Sequence, residues 1–508
     1  MGRPGCTFVL AILLCAQLPA MGSDYALVIN HGRVIDPESG LDATRHVGIA
    51  NGRIKTIARH PLRGERVIDA SGLIVAPGFI DLHSHSPTPL GQYYQAFDGV
   101  TTSLELEAGA EPVQAFGAAI STQPLLNFGA SAGYVAMRMR VKNGLAFDAT
   151  TGKPRPAGLR GWKTALLFLL TDFNTAMAAS LYEPATAAEL DQLQQMLHDS
   201  LDNGALGIGL ALDYFSDAIQ QAEMQMIFST AAQRGVPIFV HIRRGIDGDP
   251  SGLREVLELA ATHGTALHVC HITHNAISNL DVFLEEIAQA RAAGVDVTTE
   301  VLPYNAGSAL ISSAVFGRDW QTIFNITYAD VEWAATGERF NEATWNEYYK
   351  KFPDGQVIHH YLREEWTRQA VQTPGVIIVS DLMRMESTDK KVAPHNGAFT
   401  KVLGQYVREE KLLGWTDALA KMTLLPARRL EHFAPAFQRK GRIQADADAD
   451  ITIFDPVTIQ SNASYDDPFQ QATGIVHVIV NGQPIISNGQ RVPHSTPGQR
   501  ITTRTHAP

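Results

Sequence analysis

The chain has 508 residues, of which 45% are hydrophobic and 18% are charged. This composition is typical of a folded globular protein and excludes a mainly disordered chain. The formal net charge of −11 argues against nucleic acid as a main partner, because binding to phosphates needs a basic surface. The length predicts roughly two to four domains, although a barrel of about 250 residues or more can form one unit.

The first 23 residues have the pattern of a secretory signal sequence. Arg3 supplies a positive charge near the start, and an apolar stretch follows at residues 8–14, which is too short to span a bilayer. We therefore expect cleavage and a secreted or periplasmic protein with no stable membrane insertion. Two of the three cysteines lie in this segment, so Cys270 is left alone and no intrachain disulfide is expected.

Short β-rich pieces separated by turns occupy residues 24–75, and the same pattern returns in residues 436–508. Asn-Gly pairs stand between apolar runs in IANGRIK and VIVNGQP, an arrangement typical of β-hairpins. Because both segments carry this pattern, we predict a small β-sandwich domain built from the two chain ends.

In residues 76–435, apolar strand-like runs alternate with helical patterns. Such alternation favours a parallel sheet covered by helices, and eight units predict an α/β fold of the (β/α)8 barrel type. A doubly wound open sheet is the alternative, although the chain has no GxGxxG or Walker loop to support it. In chain order, the strand candidates are LIVAPGFIDLH, VTTSLELE, LLNFGASAG, ALGIGLAL, VPIFVH, ALHVCH, VDVTTEVLPY and GVIIVSD.

Residues 305–370 interrupt this alternation between strand candidates seven and eight. The segment is too long for a simple crossover, and it is rich in Trp, Tyr and Phe. Two interpretations remain open. The insertion is either a lid over the barrel mouth or an extra helical pair packed on the side of the barrel.

Histidines and carboxylates stand at the carboxyl ends of several strand candidates. These ends meet at one mouth of a (β/α)8 barrel, and buried carboxylates are costly unless they are paired or bind a metal. Imidazole and carboxylate ligands without thiolate suit zinc and related divalent ions. We predict one or two zinc ions per subunit at the mouth, with a carboxylate as bridge. The predicted ligands are His83, His85, Glu107, His241, His271 and Asp381.

Asp381 has a second predicted role as the catalytic residue. A carboxylate beside a metal-activated water can take its proton and pass it to the leaving amine. Strand alternation does not separate Glu105 from Glu107, because the two share a face. Glu107 lies nearer the carboxyl end of its strand, so we assign Glu107 as the metal bridge and Glu105 as a buried, hydrogen-bonded support.

Five other histidines, near these strands or in the insertion, are assigned to packing or to the surface. Among them, His268 shares the alternation of Cys270 and is expected to face the helices. His395, which follows strand candidate eight, is a candidate for the pocket wall. The five are His263, His268, His274, His359 and His360.

The ordered motifs resemble the amidohydrolase superfamily, and within it the N-acyl-D-amino-acid deacylases, which include D-aminoacylases and D-glutamate deacylases. The resemblance implies a zinc-bearing barrel with a β-sandwich, and hydrolysis of N-acyl-D-amino acids by metal-activated water. The motifs are PGFIDLHSH, DGVTTSLELE, GALGIGLALDY, FVHIRR, VCHIT, PYNAGS, VSD, MTLLPARRL and GRIQADADADITIFDP.

The expected partner is a small-molecule substrate, with N-acyl-D-glutamate as the first candidate. Cyclic amides or imides, dipeptides and other amides are alternatives within the superfamily, since one fold supports many substrates. A non-catalytic binding relative is a further alternative, and a homo-oligomer is left open.

Two positions depart from the family pattern. Relatives place a metal-bridging Cys at the end of strand two, where this chain has Ala108 directly after Glu107; this LELE version resembles the D-glutamate deacylases. Relatives also have a Lys, two residues beyond the sixth-strand His, that holds the α-carboxylate of the substrate. This chain has Thr273 there, so the carboxylate is expected to bind elsewhere. The candidates are Arg243, Arg318 and Arg384.

Two tyrosines and one of these arginines have alternative interpretations. Tyr214 in LALDY and Tyr304 in PYNAGS resemble substrate-contacting tyrosines of the family, and a Tyr hydroxyl near the metal can stabilise an oxyanion. The alternative for each is a rim aromatic packed on the insertion.

Arg243 stands two residues after His241, on the same face, and an Arg fork suits a carboxylate. Its alternative is a structural salt bridge with a glutamate.

Overall fold

The structure is a computed structural model that describes residues 25–148, 153–389 and 391–503. The expected signal sequence, residues 1–23, lies outside these ranges and stays a prediction. Within the described ranges, no helix is both long and apolar enough to cross a membrane.

Eight parallel strands form a nearly closed barrel, which confirms the predicted (β/α)8 architecture. Their order in the sheet is their order in the chain. Strand eight meets strand one through a parallel bridge between Ser84 and Leu382, and the Asp381 N–H donates to the His83 carbonyl at 2.9 Å. Barrel strands one to eight are Phe79–Asp81, Val100–Ala110, Asn127–Gly133, Ile208–Ala211, Ile238–His241, Leu267–Val269, Val297–Val301 and Val376–Ile378.

Helices cover the outside of the barrel, and its strands are therefore buried on both faces. Local signals set the helix ends. Thr186 and Glu189 form a capping box at the start of one helix, and Gly264 ends another in the left-handed conformation. The α-helices are Pro89–Phe97, Tyr134–Asn143, Gly158–Leu170, Phe173–Ala176, Ala178–Tyr182, Ala187–Asp202, Gln221–Arg234, Ser251–His263, Ile272–Ala276, Leu280–Ala292, Trp320–Phe324, Glu342–Lys351, Glu364–Gln372, Ala398–Lys401, Trp415–Met422 and Leu424–Leu430.

The two chain ends join in one nine-stranded sheet, so the predicted β-domain from both ends is confirmed. Strand Ile451–Phe454 pairs antiparallel with Ile74–Pro77 and thereby connects the ends. Ile29 and Val47 belong to an apolar core that is separate from the barrel core. The strands are Leu27–Asp36, Leu41–Ala50, Arg53–Ala58, Arg66–Asp69, Ile74–Pro77, Ile451–Phe454, Ile475–Val480, Gln483–Ser487 and Gln490–Arg491.

The insertion at residues 305–370 contains a four-stranded antiparallel sheet, so the interpretation as a side-packed helical pair is wrong. Aromatic side chains such as Phe316 and Trp345 form its core. Residues 307–310 and 312–315 line the cavity at the barrel mouth, which places the insertion over the mouth. Its strands are Ala306–Leu310, Val331–Trp333, Glu338–Arg339 and Gln356–His360.

A second excursion, residues 134–202 between barrel strands three and four, is not anticipated by the sequence patterns. Arg138 on its first helix is fully buried and forms an ion pair with Glu223, which is 2% exposed. Glu223 also accepts a hydrogen bond from the Tyr134 hydroxyl at 2.6 Å. This buried pair ties the excursion to the barrel helices. The excursion also contains the hairpin strands Leu145–Phe147 and Pro154–Pro156.

Arg138→Met is expected to lower the free energy of unfolding by about 3–5 kcal/mol, because the change leaves the Glu223 carboxylate buried without its cation. Denaturant titration followed by circular dichroism measures this loss. Arg254→Met is the control, since its ion pair with Glu286 is at the surface and contributes little. Equal, small effects of the two substitutions would contradict the structural role of the buried pair.

Candidate metal centre and substrate cavity

His83 and His85 follow barrel strand one, and their Nε2 atoms lie 3.1 Å apart. Each ring holds a carboxylate through its other nitrogen. The His83 Nδ1 lies 2.6 Å from Glu300, and the His85 Nδ1 lies 2.8 Å from Glu105. Such partners orient the rings and direct Nε2 to the mouth. Glu105 thus lies where a supporting residue is predicted, whereas no sequence pattern points to Glu300.

Glu107, on barrel strand two, lies between two pairs of imidazoles. Its Oε2 is 3.2 Å from the His83 Nε2 and 3.4 Å from the His85 Nε2. Its Oε1 is 2.9 Å from the His241 Nδ1 and 3.0 Å from the His271 Nε2. A carboxylate with one oxygen toward each pair has the arrangement of a bridge between two cations.

Asp381 follows barrel strand eight with a φ of 49°. Its Oδ1 lies 3.3 Å from the His85 Nε2 and 3.5 Å from the His83 Nε2. The Asp381 side chain is 19% exposed, against 6% for Glu107. Asp381 therefore contacts the rings of His83 and His85. It is also open to the space above the mouth, where a reacting water would lie.

Comparisons with known proteins agree with this arrangement. The model of the Amidohydrolase family matches residues 66–311 and 365–486, which is most of the chain. The chain belongs to the amidohydrolase family.

Several full-length relatives of this amidohydrolase are deacylases. The N-acyl-D-glutamate deacylase of Alcaligenes xylosoxydans xylosoxydans is 30% identical over 495 residues, which are 93% of this chain and 96% of that one. The D-aminoacylase of the same organism is 24% identical over 481 residues, or 91% and 94% of the two chains. The structure of an N-acyl-D-glutamate deacylase from Bordetella bronchiseptica, complexed with zinc and a phosphonate inhibitor, is 25% identical with a TM-score of 0.72, covering 94% and 99% of the chains.

The donor set of this amidohydrolase fits divalent metal ions. Four imidazoles and two carboxylates meet at the mouth, and imidazole nitrogen with carboxylate oxygen suits zinc and related ions. Two ions, with Glu107 between them, would use all six predicted ligands. Among the described residues, three groups have ligand atoms within 4.8 Å of one another. Two consist of predicted ligands, namely His83 with Glu107 and His271, and His83 with His85 and Asp381. The third is His83 with Cys270 and Glu300.

Several of the predicted ligands have the ionisation states that metal binding needs. His83 and His85 are exceptions. Burial alone would lower their pKa values, but the facing carboxylates, Asp381 foremost for His83 and Glu105 for His85, raise these values well above the ordinary one, so both rings must lose a proton when a metal binds. Burial alone would raise the pKa of Glu107, but the facing imidazoles, His83 foremost, hold that pKa well below its ordinary value. The pKa of Asp381 is lowered by neighbouring imidazoles in spite of burial. Burial lowers the pKa of His241 to about 4, and the charge of Arg244 adds to this effect. Both carboxylates are thus charged and His241 is neutral near neutral pH.

A cavity of about 360 Å³ opens onto the predicted metal ligands. Tyr214 lies in its wall, edge-on to His241 with ring centroids 5.2 Å apart, where a substrate contact is predicted. Tyr361 of the insertion also faces the cavity. His274 and His359 are buried in the same wall, although their positions in the sequence predict only a packing or surface role.

The expectation that His268 faces the helices is wrong. Its Nε2 lies 2.8 Å from Glu300, the residue that holds His83, so His268 lies inside the barrel beneath the mouth. The reason is that barrel strand six ends at Val269 and that His271 has a φ of 32°. Strand alternation stops there, so His271 turns into the mouth although His268 also points inward.

Tyr304 and His395, which the sequence offers as candidates for substrate contact, do not line the cavity. Tyr304 and His395 are buried behind it, with ring centroids 4.7 Å apart. His395 donates from Nδ1 to the Asp381 carbonyl at 2.9 Å, so the pair supports Asp381 instead of contacting a substrate. His263 and His360 lie elsewhere, as expected for packing residues.

None of the three candidate arginines for the carboxylate lines this cavity. The prediction for Arg243 fails because barrel strand five ends at His241, so the alternation does not continue to Arg243. Each arginine has an acidic partner, and for Arg243 a structural salt bridge is the alternative interpretation. The pairs are Arg243 with Glu255 at 2.9 Å, Arg318 with Asp213 at 2.8 Å and Arg384 with Glu386 at 3.1 Å.

Arg244 lies in the cavity wall instead. Its side chain is 7% exposed, and the nearest carboxylate oxygen, on Asp213, is 3.7 Å away. The guanidinium lies over the ring of Phe324, 5.5 Å from its centroid. The Nε atom is buried and has no hydrogen-bond partner among the described residues. The Arg-Arg pair is visible in the sequence, but strand alternation selects the wrong member.

Glu300→Gln is expected to weaken zinc binding by about 10- to 100-fold, because the amide no longer holds the His83 ring through a charged acceptor. Competition with a chromophoric chelator measures the Kd. Glu255→Gln removes a carboxylate outside the mouth and is the matched control, with no change in zinc affinity expected. Unaltered zinc affinity in the Glu300 variant would argue against its supporting role.

Proposed function

We propose that the protein is a zinc-dependent deacylase of N-acyl-D-amino acids, with N-acyl-D-glutamate as the first substrate candidate. The observation that carries this proposal is the position of Glu107 between two imidazole pairs, beside an open Asp381 and under a cavity with a buried arginine. The full-length similarity to an N-acyl-D-glutamate deacylase supports the same substrate class.

In this proposal the chain positions groups around the scissile amide. Zinc, when bound, polarises the amide carbonyl and lowers the pKa of a water. Asp381 takes the proton of the attacking water and passes it to the leaving amine. Tyr214 stays protonated, because burial raises the pKa of its hydroxyl, and it can donate a hydrogen bond to the developing oxyanion.

Arg244 is the proposed site for the α-carboxylate of the substrate. Arg318 already binds the Asp213 carboxylate at 2.8 Å, whereas Arg244 lies 3.7 Å from it. The two arginines share this one aspartate, and of the three side chains only Arg244 lines the cavity. Thr273 cannot supply a cation, and its hydroxyl lies 3.2 Å from the His274 Nδ1. A carboxylate would give the buried Arg244 the charge-assisted partner that it otherwise lacks.

Asp381→Asn is expected to lower kcat by about 10²- to 10⁴-fold, because the amide cannot take the proton of the water. The measurement is hydrolysis of a panel of N-acetyl-D- and N-acetyl-L-amino acids by the zinc-loaded protein, with zinc content determined for each variant. Bound zinc without turnover anywhere on the panel would refute the deacylase proposal and favour cyclic amides or peptides.

Arg244→Met is expected to lower kcat/KM about 10- to 100-fold on both N-acetyl-D-glutamate and N-acetyl-D-leucine, since both lose a charge-assisted contact to the α-carboxylate. Arg243→Met is the matched control and should leave both values unchanged, because Arg243 points to Glu255 outside the cavity. A loss confined to the glutamate substrate would instead assign Arg244 to the side-chain carboxylate.

A further inference from the structure

A second cavity, of about 370 Å³, adjoins the one above the metal ligands. It lies beside barrel strand two and the helix Tyr134–Asn143, and Arg244 does not line it. We call it the acyl chamber. The two cavities share part of their lining, so they lie side by side next to the predicted metal ligands. The shared residues are His85, Ala108, Val135, Met139 and Ala211.

The wall of the acyl chamber is mainly apolar. Besides the shared residues, it includes Pro112, Phe116 and Ala136. Small side chains such as Ala108 and Ala136 leave the volume open, since a larger residue at either position would project into it. A surface of this kind gains free energy by taking an apolar group out of water.

The charged side chains that border the acyl chamber already have partners. Each of the three carboxylates and the one guanidinium in its wall has a partner of opposite charge, so none is left for a charged ligand. A polar group placed there would lose its hydration without compensation. The pairs are Glu105 with His85 at 2.8 Å, Glu111 with Arg140 at 2.7 Å, Arg384 with Glu386 at 3.1 Å, and Asp148 with Arg155.

The two cavities therefore differ in chemistry on either side of the metal ligands. One presents the buried guanidinium of Arg244, and the other presents mainly apolar surface. We propose that the amino-acid half of the amide lies on the Arg244 side and that its acyl chain fills the acyl chamber. The protein then prefers N-acyl-D-amino acids with apolar acyl groups larger than acetyl, such as hexanoyl. This inference rests on the proposed function.

The test keeps the amine half constant and varies the acyl group. N-acetyl-, N-butanoyl- and N-hexanoyl-D-glutamate are hydrolysed by the zinc-loaded protein, and kcat/KM is expected to rise roughly threefold for each methylene that enters the chamber. Equal kcat/KM values for the acetyl and hexanoyl substrates would overturn the proposal that the acyl chamber binds the acyl chain. The deacylase proposal would still stand.

Ala136→Phe fills the acyl chamber and is expected to lower the ratio of kcat/KM for hexanoyl over acetyl at least tenfold. Ala261→Phe is the matched control, because Ala261 is exposed on helix Ser251–His263 and its substitution should leave the ratio as it was. Thermal unfolding establishes that both variants fold. If Ala136→Phe does not fold, Ala115→Leu, on another part of the chamber wall, takes its place.

Absence of turnover on every substrate would refute the proposed function but not decide the acyl chamber. Calorimetric titration with hexanoate and acetate then decides it. Hexanoate binding at least tenfold tighter than acetate, and weakened by Ala136→Phe, would support the acyl chamber. Equal affinities, or hexanoate binding unaffected by the substitution, would overturn it.

Discussion

The negative charge of Glu107, held among four imidazole rings, is the constraint on which the barrel mouth depends. A buried carboxylate is costly unless it is paired or bound to a metal, and among the described residues every short contact of the Glu107 carboxylate is to an imidazole nitrogen. The rings come from barrel strands one, five and six, so these strands must end at one level. Barrel closure sets that level, because the Asp381 N–H binds the His83 carbonyl and brings strand eight to strand one.

His83 is held from below by a second layer of polar groups inside an otherwise apolar barrel. Glu300 contacts both His83 and His268, and these imidazoles lower its pKa to about 2 although burial alone would raise it. Beneath it, Asp81 accepts a hydrogen bond from the Ser380 hydroxyl at 2.5 Å and so links the first and last strands again. A fully bonded network of this kind orients its members more firmly than isolated contacts do.

Above the mouth, the connections between strands set the chemistry of the cavity. Arg244 follows barrel strand five, and its backbone N–H binds Asp213 at 2.9 Å. The acyl chamber is formed mainly by segments after strands two and three, and the insertion supplies much of the opposite wall. In barrels of this type the strands carry the reacting groups while the loops decide which molecules reach them. The two differently lined cavities agree with that division.

The sequence by itself determined the barrel, the β-domain from both chain ends and the residues that meet at the mouth. It could do so because strand order in the barrel equals order along the chain, so the end of each apolar run is also a position at the mouth. Only the tertiary structure decided that Arg244 rather than Arg243 faces the cavity, that His268 lies inside the barrel, and that Glu300 supports His83. Each depends on where a strand stops and how the chain then turns, and contacts with distant segments stabilise that turn. The insertion sheet and the acyl chamber also depend on the tertiary structure. Each is formed by segments that are separated along the chain, and no local periodicity connects these segments.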